Sequence, residues 1–368
     1  MNRLLLTIVA ILTIPFGCLA QEENDASVKY FTEGMNYYSG INGCEQNYAK
    51  AVELLTKSAE LGYASAQFNL GLCYNYGLGV GQDERTAVAW YTKAAEQGHS
   101  KAQCNLGLCY QNGTGVPQDY SKAVYWYQKS ADQDNVLGQE YLGTCYKYGR
   151  GIDKDVHKAF FWHQKAAEQG WASSQYTLGV DYSEGSGVTK DITKAFYWWQ
   201  KSAEQGYKDA QYNLGVCYYD GQGVDQDYAK AALWYEKAAV QGDADAQYNL
   251  SLCYKDGKGV QQDLTKYTDL LQQASERGCV TAQRELGLNY EYGEGVKKNY
   301  VKAAQWIKEA AERGNAGAQL ELGNFYADGK GVQQDYTQAA YWWQKAAGQG
   351  RREAIVNLDR LKRMKKKR

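Results

Sequence analysis

The chain has 368 residues and is close to neutral, with 41 Lys and Arg against 42 Asp and Glu. That balance argues against nucleic acid as the main partner, because such binding rests on a strongly basic face. With 39 glycines, 33 tyrosines and 10 tryptophans but two prolines, the composition is too biased for two or three ordinary globular domains and points to internal repetition.

Residues 1–20 read as a secretory signal peptide. Asn2 and Arg3 form the charged start, Leu4 to Ile14 the apolar run and Cys18-Leu19-Ala20 a small-residue exit, with cleavage expected before Gln21. The run is too short to span a membrane. The chain is therefore expected to be exported, to a periplasm or the outside. A rival reading makes Cys18 a lipidated cysteine and the protein an anchored envelope component, although Pro15-Phe16-Gly17 is a poor approach for that. Residues 21–27 form a short mature N-terminal segment.

From 28 to 351 the sequence aligns with itself at a shift of 36 residues, giving nine units. Each unit predicts two helices. The first, helix A, runs in the second unit from Ala64 to about Asn75, with Ala66, Leu70, Cys73 and Tyr74 at helical spacing. The glycine loop from Gly77 to Val80 breaks it. Asp83 then precedes the second helical run, helix B, as an N-cap should; this position reads Asn47, Asp83, Asp119, Asp155, Asp191, Asp227, Asp263, Asn299 and Asp335. Gly98 ends helix B, and only the third unit departs from glycine there, with Asp134, a residue that also tolerates the left-handed conformation. Glycine recurs inside helix A at Gly71, Gly107, Gly143, Gly179, Gly215, Gly287 and Gly323. Each costs about 1 kcal/mol against alanine, so close approach of a neighbouring helix is expected to offset it. The Trp90 series, tryptophan in seven of nine units, is expected to supply the buried volume. In the seventh unit Tyr267 replaces an alanine common to the other eight, and Leu270 replaces the tryptophan; core volume is kept while its shape changes.

The segments "AQFNLGLCYNYGLGVGQD" with "WYTKAAEQG", and "AQYNLGVCYYDGQGVDQDYAKAALWYEKAAVQG", resemble the Sel-1-like repeat, a relative of the tetratricopeptide repeat. The resemblance implies an all-α fold: a right-handed superhelical solenoid of antiparallel helix pairs that holds another protein or an extended peptide.

Candidate chemistry is sparse. Cys73, Cys109, Cys145, Cys217 and Cys253 share one position of helix A. Stacked helices lie about 8–10 Å apart, too far for those cysteines to pair, so they are expected to be reduced core filler. The family's cysteine-rich branch ties helix B to the next helix A by disulfides, but the matching positions here are Ala95 and Gln103. That branch also suggests the rival reading of an enzyme acting on cell-wall or β-lactam substrates; its S-x-x-K, S-D-N and K-T-G motifs are all missing from this sequence. His99, His157 and His163 are too scattered for a zinc or acid–base site, and His163 reads as surface packing. No catalytic residue, cofactor or metal site is expected. The tail, residues 352–368, reads as a basic capping helix whose excess of Lys and Arg also suits peripheral contact with an anionic surface.

In the tetratricopeptide relatives helix A lines the concave face, and the resemblance places Phe68, Asn69 and Leu72 there. The equivalent residues in later units include Tyr176, Tyr212, Asn213, Tyr248 and Asn249. Three successive tyrosines beside amides that both donate and accept make the candidate groove for a peptide backbone.

Overall fold

The computed structural model describes residues 26–366, and the expected signal peptide with Cys18 lies outside them. Two units divide the chain. The first comprises residues up to 142 together with 150–152, the second 143–149 and 153 onward. The first contains α1 (Ala26–Ser39), α2 (Tyr48–Glu60), α3 (Ala64–Tyr76), α4 (Glu84–Glu96), α5 (Ser100–Asn112) and α6 (Tyr120–Ala131). The division falls inside α7 (Val136–Tyr148). The second holds α8 (Val156–Glu168), α9 (Ala172–Glu184), α10 (Ile192–Glu204), α11 (Lys208–Asp220), α12 (Tyr228–Val240) and α13 (Ala244–Asp256). It continues with α14 (Leu264–Glu276), α15 (Val280–Tyr292), α16 (Tyr300–Glu312), α17 (Ala316–Asp328), α18 (Tyr336–Gly348) and α19 (Arg352–Lys366). The fold is all-α, a solenoid of helix pairs, and no strand occurs among the described residues. Sequential helices pack on each other, α3 on α4 and α4 on α5, and the same order holds in the second unit from α8 to α19.

Each boundary has a local cause. Asp83 is extended, and its carboxylate accepts from the N–H groups of Arg85 and Thr86, which otherwise lack partners at the start of α4. Gly77, left-handed at φ 69°, ends α3 and donates its N–H to the Cys73 carbonyl. Asp134 does adopt positive φ, at 55°.

The mid-helix glycines face the partner helix of their own pair. A Cβ on Gly71 would stand 2.6 Å from Cε1 of Tyr91 and 3.2 Å from the Ala87 carbonyl oxygen, so only a bare backbone lets α3 and α4 approach this closely. The ring filling that space is not the expected tryptophan. Trp90 is half-buried under the Lys93 ammonium, 4.0 Å from its ring centre, whereas Tyr91 is 1 % exposed. The seam of helix B is Ala87, Tyr91, Ala94 and Ala95, spaced i, i+4, i+7, i+8. Trp90 stands about 100° around the helix from Tyr91 and covers the edge of the core instead. Fully burying a side chain of this size contributes about 2–3 kcal/mol. His163 belongs to the same inward series. It is buried, not on the surface, because its ring takes the place that Tyr91 fills in α4.

Glutamines tie one pair to the next. Buried Gln67 of α3 donates to the Ala59 carbonyl at the end of α2 (3.1 Å) and accepts from Gln97, which follows α4 (2.7 Å). The bond recurs between Gln175 and Gln205, Gln211 and Gln241, and Gln319 and Gln349, each at 2.8 Å.

Candidate partner-binding groove

In the first unit Phe68, Asn69 and Leu72 all sit half-buried on α3. Phe68 stacks on the His99 ring at 4.8 Å and tilts against Tyr91 at 6.0 Å. Burial, with Lys101 nearby, holds the His99 imidazole below its usual pKa, which keeps the stacked ring neutral. Asn69 donates to the Ser65 carbonyl of its own helix at 2.7 Å. Leu72 packs with Phe68 on the core around Tyr91. In the next helix A of this unit, Cys104 takes the Phe68 position and is buried.

In the second unit the row begins with Tyr176 on α9, tilted on Tyr207 at 5.2 Å. Tyr212 on α11 tilts on Tyr235 at 6.1 Å, and the Asn249 amide of α13 hydrogen-bonds its hydroxyl. Tyr248 on α13 packs on the core around Tyr267. Burial pushes the Tyr176 and Tyr248 phenols up to about 12, so both hydroxyls are protonated and available as donors throughout the physiological range. Asn213 is half-buried beside Tyr212 on α11.

The structure therefore brings Tyr212 and Asn249 together across α11 and α13. Part of the Asn249 amide's hydrogen-bonding capacity is thus spent inside the row. The spacing of the pair recurs. Arg284 Nε donates to Glu321 Oε2 at 3.2 Å, with Nη2 on Oε1, between α15 and α17. Both pairs join the Phe68 position of one repeat to the Asn69 position of the next. Along the second unit the row thus changes from tyrosine–amide to arginine–carboxylate. The sequence signal for this is the simultaneous change at Arg284 and Glu321, a pair that sequence reading alone passed over. Beyond it a cavity of about 350 Å³ is lined by Glu291, Glu321, Asn324, Trp343 and Asn357. Trp343 Nε1 and Asn357 Nδ2 both donate to Asn324 Oδ1 at 3.0 Å, and burial raises the Glu321 pKa against the opposing pull of Arg284.

Seven of the eight described cysteines are buried and all eight are free thiols. Among the described residues no cluster of His, Cys, Asp and Glu could hold a metal ion, and no helix is long and apolar enough to cross a membrane.

The Sel1 repeat pattern matches nine consecutive segments: 34–63, 64–99, 100–135, 136–171, 172–207, 208–243, 244–279, 280–315 and 316–350. The chain is similar to c5321, a protective antigen present in uropathogenic Escherichia coli strains displaying an SLR fold. The identity is 40 % over 84 % of this chain and 67 % of that one, with a TM-score of 0.75. It is also similar to a Sel1 repeat protein from Oxalobacter formigenes, at 32 % identity over 96 % of this chain and 98 % of that one, TM-score 0.67. No curated protein matches it.

Proposed function

The chain belongs to the Sel1 repeat family, and from that premise we propose that it is a non-catalytic exported scaffold that binds a protein or extended peptide along the helix-A row. The observation that carries this reading is the row in the second unit. Tyr176, Tyr212 and Tyr248 stay half-buried with protonated hydroxyls, while the inward positions are already filled by Ala210, Leu214 and their equivalents. Aromatic anchors of this kind dominate binding energy in recognition surfaces. Export rests on the leader-like segment 1–20, and the description of the E. coli relative as a protective antigen supports it. Periplasm and exterior suit the chain equally, and a lipid anchor on Cys18 remains the rival, decided by palmitate labelling.

Affinity capture with the intact protein, followed by mass spectrometry, identifies the partner. Replacing Tyr212 and Tyr248 by alanine is then expected to weaken capture by at least about 2 kcal/mol while circular dichroism stays helical. A double variant that unfolds, or that binds its partner as tightly as the parent, places the site elsewhere. Turnover of nitrocefin or peptidoglycan by the purified protein would overturn the non-catalytic reading.

A further inference from the structure

The loop between α15 and α16 differs from its counterparts in charge. In four other units the lysine in the first turn of helix B lies near the N-cap aspartate: Lys122–Asp119, Lys158–Asp155 and Lys194–Asp191 at 3.7 Å, and Lys230–Asp227 at 3.4 Å. Lys302 holds the same place in α16, but its N-cap is Asn299, which carries no charge. Lys297 and Lys298 precede it, and no other loop has two lysines at those positions. The three lysines, with Tyr290, Val296 and Asn299, line an open cavity of about 420 Å³. Two of the ammonium groups face rings, Lys298 at 4.8 Å from the Tyr300 ring centre and Lys302 at 5.2 Å from that of Tyr290. Glu291, the carboxylate one residue beyond Tyr290, is engaged by Lys330 at 3.7 Å. Glu294 lies in the loop but does not line the cavity.

We propose that this lysine-lined cavity binds a tetrahedral dianion, a phosphoryl or sulfuryl group. Three cations gathered without a carboxylate repel one another, and a dianion among them removes that repulsion where a single carboxylate offsets less of it. Lysine suits such a ligand because its three rotatable donors act as a point charge. The helix end is not the donor, since Asn299 Oδ1 already accepts from Val301 N (3.0 Å) and Lys302 N (3.1 Å). The residues are not those of the helix-A row, so either reading stands or falls without the other.

The test is a titration of the intact protein with inorganic phosphate, ionic strength held constant with sodium chloride, followed through the amide resonances of residues 297–302. Saturable shifts are expected. The pair K297Q/K298Q should weaken binding about tenfold, the loss expected for two exposed ion pairs. N299D restores the aspartate found in seven units; it should keep or raise the melting temperature yet weaken phosphate binding several-fold by pairing Lys302 internally. Shifts that follow ionic strength alone overturn the proposal, as do variants that bind like the parent. Cosedimentation with phosphatidylcholine vesicles containing phosphatidic acid, lost in K297Q/K298Q, supports it with a lipid headgroup as the source. Phosphate binding without cosedimentation supports it with a soluble phosphate.

Discussion

His163 Nδ1 lies 2.9 Å from Asp181 Oδ2, with both side chains at most 2 % exposed, and Lys147 Nζ holds the other carboxylate oxygen at 2.8 Å. The network spans α7, α8 and α9; the Asp181 position is cysteine at Cys109, Cys217 and Cys253 and asparagine at Asn289. Tyr91 shares its core with Cys109, and Tyr235 with Cys253, at the same places in their repeats. Two exchanges, tyrosine to histidine and cysteine to aspartate, were thus made together, since a buried carboxylate is tolerated only with partners.

Coupling between the two is therefore expected. H163Y and D181C alone should each cost about 2–4 kcal/mol, because H163Y removes one of the two partners of the buried Asp181 carboxylate and D181C takes the partner of the buried His163 ring. The double variant restores the Tyr–Cys combination and should recover about 1–3 kcal/mol relative to the sum. Urea unfolding of the four proteins measures this. Additivity to within about 0.5 kcal/mol would show that the pair is not a unit.

The glycine seam gives a second test. Gly71→Ala gains about 1 kcal/mol of helix propensity but drives a methyl to within 2.6 Å of the Tyr91 ring. Overpacking of this kind costs about 1–3 kcal/mol, so a net loss of stability is expected. Adding Tyr91→Leu should recover part of it. The seventh repeat already does this: Ser251 stands at the glycine position of α13, and Leu271 stands at the ring position of α14. A G71A variant more stable than the parent would show that the helices can move apart.

The sequence announced the helix pairs because each boundary is local: an Asx N-cap, a left-handed glycine and a helical period decide it. Close helix approach was legible for the same reason, since a glycine that weakens its own helix recurs where a neighbour needs the room. The sequence did not say which of two adjacent aromatics faces inward. Trp90 and Tyr91 both fit an amphipathic helix, and the choice follows from where Gly71 of the partner helix leaves room. His163 was misread because its meaning depends on Asp181, in the following repeat. Of the helix-A row, the residue types and their recurrence were legible, the paired change at Arg284 and Glu321 included, but the Tyr212–Asn249 and Arg284–Glu321 contacts join separate repeats and are not decided by local sequence.

The thiols predict alkaline sensitivity. Burial pushes Cys73, Cys109, Cys253 and Cys279 up to about 11, and Cys104 and Cys217 up to about 12, whereas an exposed cysteine titrates near 9.0. Between those values the unfolded chain has released protons that the folded chain retains, so stability is complete below about pH 9 and falls as pH rises, by about 1.4 kcal/mol per pH unit for each such thiol. Urea midpoints from pH 7 to 10 should show the decline, and C104A with C217A should reduce its slope. At neutral pH, half-buried Cys44 should be the described cysteine that labels with iodoacetamide before unfolding. Rapid native labelling of the buried series would refute the packing.

The glutamine ties are interrupted at the two repeats where arginine replaces the residue after helix B, and resume at Gln319 and Gln349. Gln247 Oε1 and Gln283 Oε1 are buried without a hydrogen-bond partner, and the residues that would supply one are Arg277 and Arg313, at the positions of Gln97 and Gln241. Arg313 Nη1 instead donates to the Gly278 carbonyl at 2.9 Å. A glutamine at that position need not give up this bond, because Gln241 donates both to the Gly206 carbonyl at 3.0 Å and to Gln211 Oε1. R313Q should thus keep the backbone contact and satisfy Gln283, stabilising the protein by about 0.5–1.5 kcal/mol. The mirror change Q241R removes the donor to Gln211, which is 5 % exposed, and should destabilise by a similar amount. Paired urea unfolding curves decide it. If R313Q lowers stability or leaves it unchanged, Arg313 is holding more than the Gly278 carbonyl, and the glutamine tie is not what joins these repeats.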